Sequence, residues 1–117
     1  MHDPARVLLS NLDGTSVTDG RDMVGRLVRQ VTAPVRWDLC MRTLRELGVT
    51  AIIELPPAGT LAGLVKRELK GDGAPEILTL NTPDDLPAAR DLIARTAAGA
   101  PPRTAATDRT ANEGAAR

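Results

Sequence analysis

The run Val49-Thr50-Ala51-Ile52-Ile53-Glu54-Leu55 constrains the fold most. It is short, continuous and rich in β-branched residues, and polar and apolar residues do not alternate along it. Such a run suits a strand of a parallel sheet covered on both faces. "PPAG" follows over 56–59. From Thr60 to about Leu69, Leu61, Leu64 and Val65 then recur at helical spacing and are expected to face inward. Strand, turn and helix make the first part of a βαβ unit. In open α/β sheets, ligands bind outside the carboxyl ends of strands. The turn at 56–59 is therefore a candidate for the rim of a site.

The flanking segments extend this pattern. "RVLLSN" (6–11) reads as a strand, and "LDGTSVTDG" (12–20) carries two Asp-Gly turn signals. Met23, Leu27, Val28 and Val31 predict a helix over 22–31, broken by "TAP" at 32–34. Pro34 then suits the first turn of a second helix, about 35–47. Trp37, Cys40, Met41, Leu44 and Leu47 share one stripe of that helix, and Gly48 is its expected C-cap. "EILTLN" (76–81) is the third strand. "TPDD" (82–85) opens a last helix that runs to about Thr96, with Thr82 as N-cap and Asp85 three residues on.

The expected fold is α/β, with about three parallel strands and four helices in one domain over 1–98. The Ala/Pro/Thr/Arg-rich tail at 99–117 has little to bury and is expected to be disordered. Three strands make a thin sheet for a run that wants cover on both faces, so the chain reads as part of a larger domain.

Composition narrows the chemistry. With one Trp and no Phe or Tyr, the core must come from Leu, Val, Ile, Ala and Met. Lys plus Arg equals Asp plus Glu at 15 each, and aromatic rings do not interleave with a basic stripe, which argues against nucleic acid. One cysteine, Cys40, excludes an internal disulfide and a cysteine metal cluster, and the single histidine is His2, so no metal site is expected. The absence of a signal-like leader or a run of about 20 apolar residues points away from membranes and toward the cytoplasm.

Four blocks together resemble one family: "LLSNLDG" (8–14), "LVRQVTAPVRW" (27–37), "LGVTAIIELPPAGTLAGLVKR" (47–67) and "LNTPDDL" (80–86). In order and spacing they are similar to the C-terminal third of malonyl-CoA:acyl carrier protein transacylases. The resemblance implies an α/β-hydrolase-like domain, of which this chain supplies the last strands and helices. It implies transfer of malonyl from malonyl-CoA to the phosphopantetheine thiol of acyl carrier protein through an acyl-serine. Fatty acid or polyketide synthesis is the implied setting, with no cofactor.

The family's nucleophile sits in a Gly-His-Ser-x-Gly elbow, which this sequence lacks, and Ser10 and Ser16 have no such context. Its histidine base and malonyl-pairing arginine precede the matched region, and His2 lies too close to the first block to be that base. The resemblance assigns Gln30 a main-chain carbonyl that orients the histidine, and Thr60 a place in the acyl pocket. Ala33, where Asn is common, and "PPAG", in place of a more glycine-rich turn, depart from the pattern. The expectation is a C-terminal fragment that works with acyl carrier protein and a separate N-terminal acyltransferase portion. The alternative is a non-catalytic remnant or interaction module.

Other residues have plainer expectations. Glu54 accepts hydrogen bonds from the turn that follows it, and Cys40 and Trp37 pack in the core. Asn11 forms a turn, Asp38 is exposed, and "KRELK" (66–70) is a solvated helix face.

Overall fold

The computed structural model describes residues 1–99. In chain order it contains β1 (Leu8–Leu9), β2 (Ser16–Val17), α1 (Gly20–Gln30), α2 (Trp37–Glu46), β3 (Ala51–Glu54), α3 (Thr60–Glu68), β4 (Glu76–Thr79) and α4 (Leu86–Gly99). A 3₁₀ turn, Pro83–Asp85, leads into α4. The expected disordered tail, apart from Gly99 at the end of α4, lies outside the described residues.

β3 and β4 pair in parallel, with Ile52 opposite Ile77 and Ile53 opposite Leu78. Helix α3 is the crossover between them, the connection a parallel pair requires. Met41 of α2 and Val65 and Leu69 of α3 form a buried cluster, against which Ile52, Ile77 and Trp37 pack. Strand alternation turns Ile53 and Leu78 the other way. Helix α4 contacts β3 and buries Ala89 and Leu92.

The expectation of three parallel strands is corrected. Of "RVLLSN", only Leu8–Leu9 is strand, and it pairs antiparallel with Ser16–Val17. The reason lies in the Asp13-Gly14 turn, which reverses the chain too soon for a crossover. Gly14 takes φ +73° and donates to Ser10 O at 2.8 Å, while Ser10 N donates to Thr15 O at 3.0 Å. The Asp13 carboxylate accepts from both the amide and the hydroxyl of Thr15, at 3.1 and 2.7 Å. The hairpin docks on α2 through the Thr43 hydroxyl, which donates to Gly14 O at 2.7 Å.

The parallel sheet is therefore two-stranded among the described residues, and β3 is not enclosed on both sides: Ala51, Ile52 and Ile53 are half-buried. Leu61, expected inward, is 40% exposed. Pro34 does not start α2, because Arg36 occupies the N-cap with φ −96° and ψ 60°. Its amide donates instead to Asn11 O at 2.8 Å.

The ends of the helices follow local chemistry. Asp19 caps α1 by accepting from Asp22 N at 2.7 Å. Gly48 ends α2 with φ +67°, its amide donating to Arg45 O and that of Val49 to Leu44 O, the paired closure of a Schellman motif. Asp85 reaches back to accept from Asn81 N and Thr82 N at 2.8 and 3.0 Å, as the "TPDD" spacing predicts.

Candidate functional site

The turn between β3 and α3 is organised by one carboxylate. Glu54, the last residue of β3, is buried, with 8% of its surface exposed. Its Oε2 accepts from Gly59 N at 2.8 Å and Ala62 N at 2.9 Å, and its Oε1 from Leu61 N at 3.0 Å. The amide of Gly59, foremost, with those of Ala62 and Leu61, holds the carboxyl below its ordinary pKa despite burial. These are the orphan donors at the start of a helix, the usual anion site of a βα turn. Here the chain's own glutamate fills it. The turn thus offers a shaped rim, and an anionic substrate must be held by other groups.

Thr60 is the first residue of α3 and is exposed beside this turn. Its position at the carboxyl end of β3 follows from the strand-turn-helix pattern. The Pro56–Pro57 peptide within the turn is cis.

Gln30 is the last residue of α1 and is half-buried. Its main-chain carbonyl accepts from Ala33 N at 3.2 Å, which leaves one lone pair for a second donor. Its side-chain amide is also engaged: Nε2 lies 3.1 Å from Ala33 O and 3.2 Å from Pro34 O. The family pattern drew attention to the carbonyl and passed over this amide. A lone glutamine at a helix end carries no sequence signal for it.

The loop after Gln30 is anchored again at Arg36, whose amide reaches the Asn11 carbonyl. Asn11 thus does more than form a turn. Its side-chain oxygen also lies 3.4 Å from Cys40 Sγ, which in turn lies 3.5 Å from Ser10 O. Cys40 is buried, and burial foremost pushes its thiol up, which fits a packing role in the core. Ser10 is likewise buried, and its hydroxyl accepts from Leu12 N at 3.2 Å.

Several charged groups outside the turn are engaged in ion pairs within the fold. Arg26 bridges Asp13 at 2.7 Å and Asp22 at 2.8 Å, tying α1 to the hairpin. The Thr15 hydroxyl and then the Arg26 guanidinium hold Asp13 down at about 2. Asp38 is exposed and pairs with Arg36 at 2.8 Å. Lys66, Arg67, Glu68 and Lys70 of "KRELK" are exposed, and only Leu69 turns into the core. Trp37 packs against the core with its Nε1 buried and without an acceptor among the described residues.

A cleft of about 340 Å³ lies elsewhere, lined by Leu44, Thr50, Leu69, Lys70 and Pro75 among others. Thr50 and Pro75 immediately precede β3 and β4, so the cleft sits at the amino ends of the strands, away from the turn. Among the described residues no cluster of His, Cys, Asp and Glu is suited to hold a metal ion, and no helix is long and apolar enough to cross a membrane.

One face remains uncovered. Val24, Leu27, Val28 and Val31 recur at helical spacing along α1 and at its C-cap, and are 40, 54, 69 and 84% exposed. Val7, Val35 and Leu55 are also more than half exposed. The helical spacing read from Met23, Leu27, Val28 and Val31 is real, but the described residues leave Leu27, Val28 and Val31 uncovered.

No family model matches the chain. Curated relatives do. It is 61% identical over 69 residues to the malonyl CoA-acyl carrier protein transacylase of Mycobacterium tuberculosis, a match covering 59% of this chain and 23% of the relative. It is 49% identical over 88 residues to that of Mycolicibacterium smegmatis, covering 72% of this chain and 29% of the relative. The crystal structure of MCAT from Mycobacterium tuberculosis superposes with a TM-score of 0.66 at 54% identity, over 72% of this chain and 27% of that one. The chain spans about a quarter of the length of the curated relatives it matches, and the matched region is their C-terminal part.

Proposed function

We propose that this chain, homologous to the C-terminal part of the malonyl CoA-acyl carrier protein transacylases, acts as the closing segment of an α/β-hydrolase-like acyltransferase. It completes a site whose serine nucleophile, histidine base and malonyl-pairing arginine come from the portion that precedes the matched region. In the proposed reaction, the serine attacks the malonyl thioester, coenzyme A leaves as its thiol, and a malonyl-serine ester forms. The phosphopantetheine thiol of acyl carrier protein then attacks the ester and restores the serine. A histidine moves the proton in each step.

This chain contributes backbone placement. The Gln30 carbonyl, with one lone pair free of the turn, accepts the histidine N–H and fixes the tautomer whose other nitrogen faces the serine. Thr60, exposed at the start of α3, lines the acyl side of the pocket.

The observation that carries this reading is the α1 stripe. Exposed apolar surface arranged at helical spacing marks a face built to be covered. The matched fold in the solved relative belongs to a chain nearly four times as long as the match, since the match covers 27% of it. The occupant of the face is therefore the nucleophile-bearing portion of the same fold.

The test is to supply the portion of the Mycobacterium tuberculosis relative that precedes the matched region. Malonyl transfer to acyl carrier protein is then measured with each piece alone and with both together. Activity confined to the mixture supports the proposal. A mixture that associates and folds yet transfers nothing defeats it, and favours a non-catalytic interaction module that reuses the fold.

A further inference from the structure

We infer that the side chain of Gln30 is a positioning group: its amide clamps the loop after α1 and thereby aims the carbonyl of the same residue. For its catalytic consequence this rests on the function proposed above. The clamp itself rests on geometry. Nε2 has two protons, and two main-chain oxygens lie within reach, Ala33 O at 3.1 Å and Pro34 O at 3.2 Å. The Ala33 amide returns to Gln30 O at 3.2 Å, closing a ring between the helix end and the loop.

Little else holds this segment. Pro34 has no N–H to give. Thr32 N reaches Arg29 O at only 3.4 Å, and the next anchor is Arg36 N on Asn11 O at 2.8 Å. Among the described residues, the side-chain anchor of the loop is the Gln30 amide, which lies next to the carbonyl in question, with the Arg36 amide on Asn11 O holding the far end. An ordinary polar residue at a helix end would leave its amide in water. This one is half-buried and spends both donors on the backbone.

Residue chemistry makes the claim sharp. Alanine removes both donors and keeps the carbonyl. Glutamate keeps the length but, ionised, has no proton to donate, and would set its oxygens against those of Ala33 and Pro34. Glutamate should therefore be worse than alanine, the reverse of what size alone predicts.

The experiment compares the full chain with Gln30→Ala and Gln30→Glu, using amide hydrogen exchange and then malonyl transfer by the two-piece mixture. The Ala33 amide is expected to exchange roughly tenfold faster in Gln30→Ala, and faster still in Gln30→Glu, as two hydrogen bonds are lost. The Val65 amide, in the core, should keep its protection and so show that the variants fold. In the mixture, kcat should fall roughly ten- to a hundredfold, within the range for impaired general-base assistance. KM for malonyl-CoA should hold, and the acid limb of the kcat profile should shift as the histidine loses its acceptor.

Unchanged Ala33 exchange in both variants overturns the clamp. Faster exchange with unchanged kcat and pH profile overturns the positioning role. If the wild-type mixture is inert while Ala33 exchange rises in the variants, the clamp stands and the proposed function is what fails.

Discussion

The same substitution at two places should fall on different quantities, folding stability at one and association at the other, and this tests what the α1 stripe is for. Val65 is 0% exposed, whereas Val28 and Val31 are 69 and 84% exposed. Replacing valine with alanine removes two methylene equivalents, about 0.8 kcal/mol each when buried. Val65→Ala should therefore cost about 1.6 kcal/mol in transfer and about 2–3 kcal/mol once the cavity is included. For Val28→Ala with Val31→Ala, only the buried fractions count in the isolated chain, about 0.8 kcal/mol together. The better helix propensity of alanine at Val28 offsets roughly half of that. If the nucleophile-bearing portion covers this face, the exposed fractions become the loss on association, about 2.4 kcal/mol or roughly 60-fold in Kd. Urea denaturation of the chain and titration calorimetry against the preceding portion of the Mycobacterium tuberculosis relative give both numbers. The reasoning is refuted if the double variant unfolds as easily as Val65→Ala, since the stripe would then already be buried. It is equally refuted if Kd does not change.

Three further outcomes follow from particular contacts. Glu54→Gln keeps the shape but replaces one of two acceptor oxygens with an NH₂ group, so Gly59, Leu61 and Ala62 amides should exchange faster at pH 7. Because the folded Glu54 pKa is depressed, its contribution is present above the ordinary carboxylate range, and variant and wild type should converge as pH falls through the folded value. Gly14→Ala puts a Cβ at φ +73°, within 2.5 Å of the Leu39 carbonyl carbon and 2.8 Å of Cys40 N. The left-handed conformation alone costs about 1–2 kcal/mol for an L-residue, and moving the hairpin off α2 adds to it, so thermal melting should show a loss well beyond that figure. Asp13 ionises at about 2 in the fold against 3.8 ordinarily. The stability of wild type over Asp13→Asn, followed by urea titration, should be full above pH about 4 and fade as pH falls towards 2.

What the sequence revealed, and what it hid, divide along one physical line. Interactions closed within a few residues were legible: the Gly48 cap, Asp85 on Thr82, and Glu54 on the turn after it. Each needs only a residue type at a fixed offset from a helix end. The Asp-Gly turn at 13–14 was equally visible, but its consequence was not, because a strand of two residues says nothing about which partner it takes. The Gln30 amide was missed for a related reason. Its acceptors are main-chain oxygens, which every residue has, so the pattern carries no trace of them. The α1 stripe is the hardest case. A period of 3.6 residues states that one face of a helix avoids water, and it does so equally whether the cover lies on this stretch of chain or elsewhere. Burial is a property of the neighbours. Here the described neighbours leave Val28 and Val31 exposed, so an inward-facing pattern and an outward-facing surface are the same fact seen before and after counting what is present. That mismatch is a physical observation that does not depend on homology: the apolar face of α1 is left uncovered by the described residues.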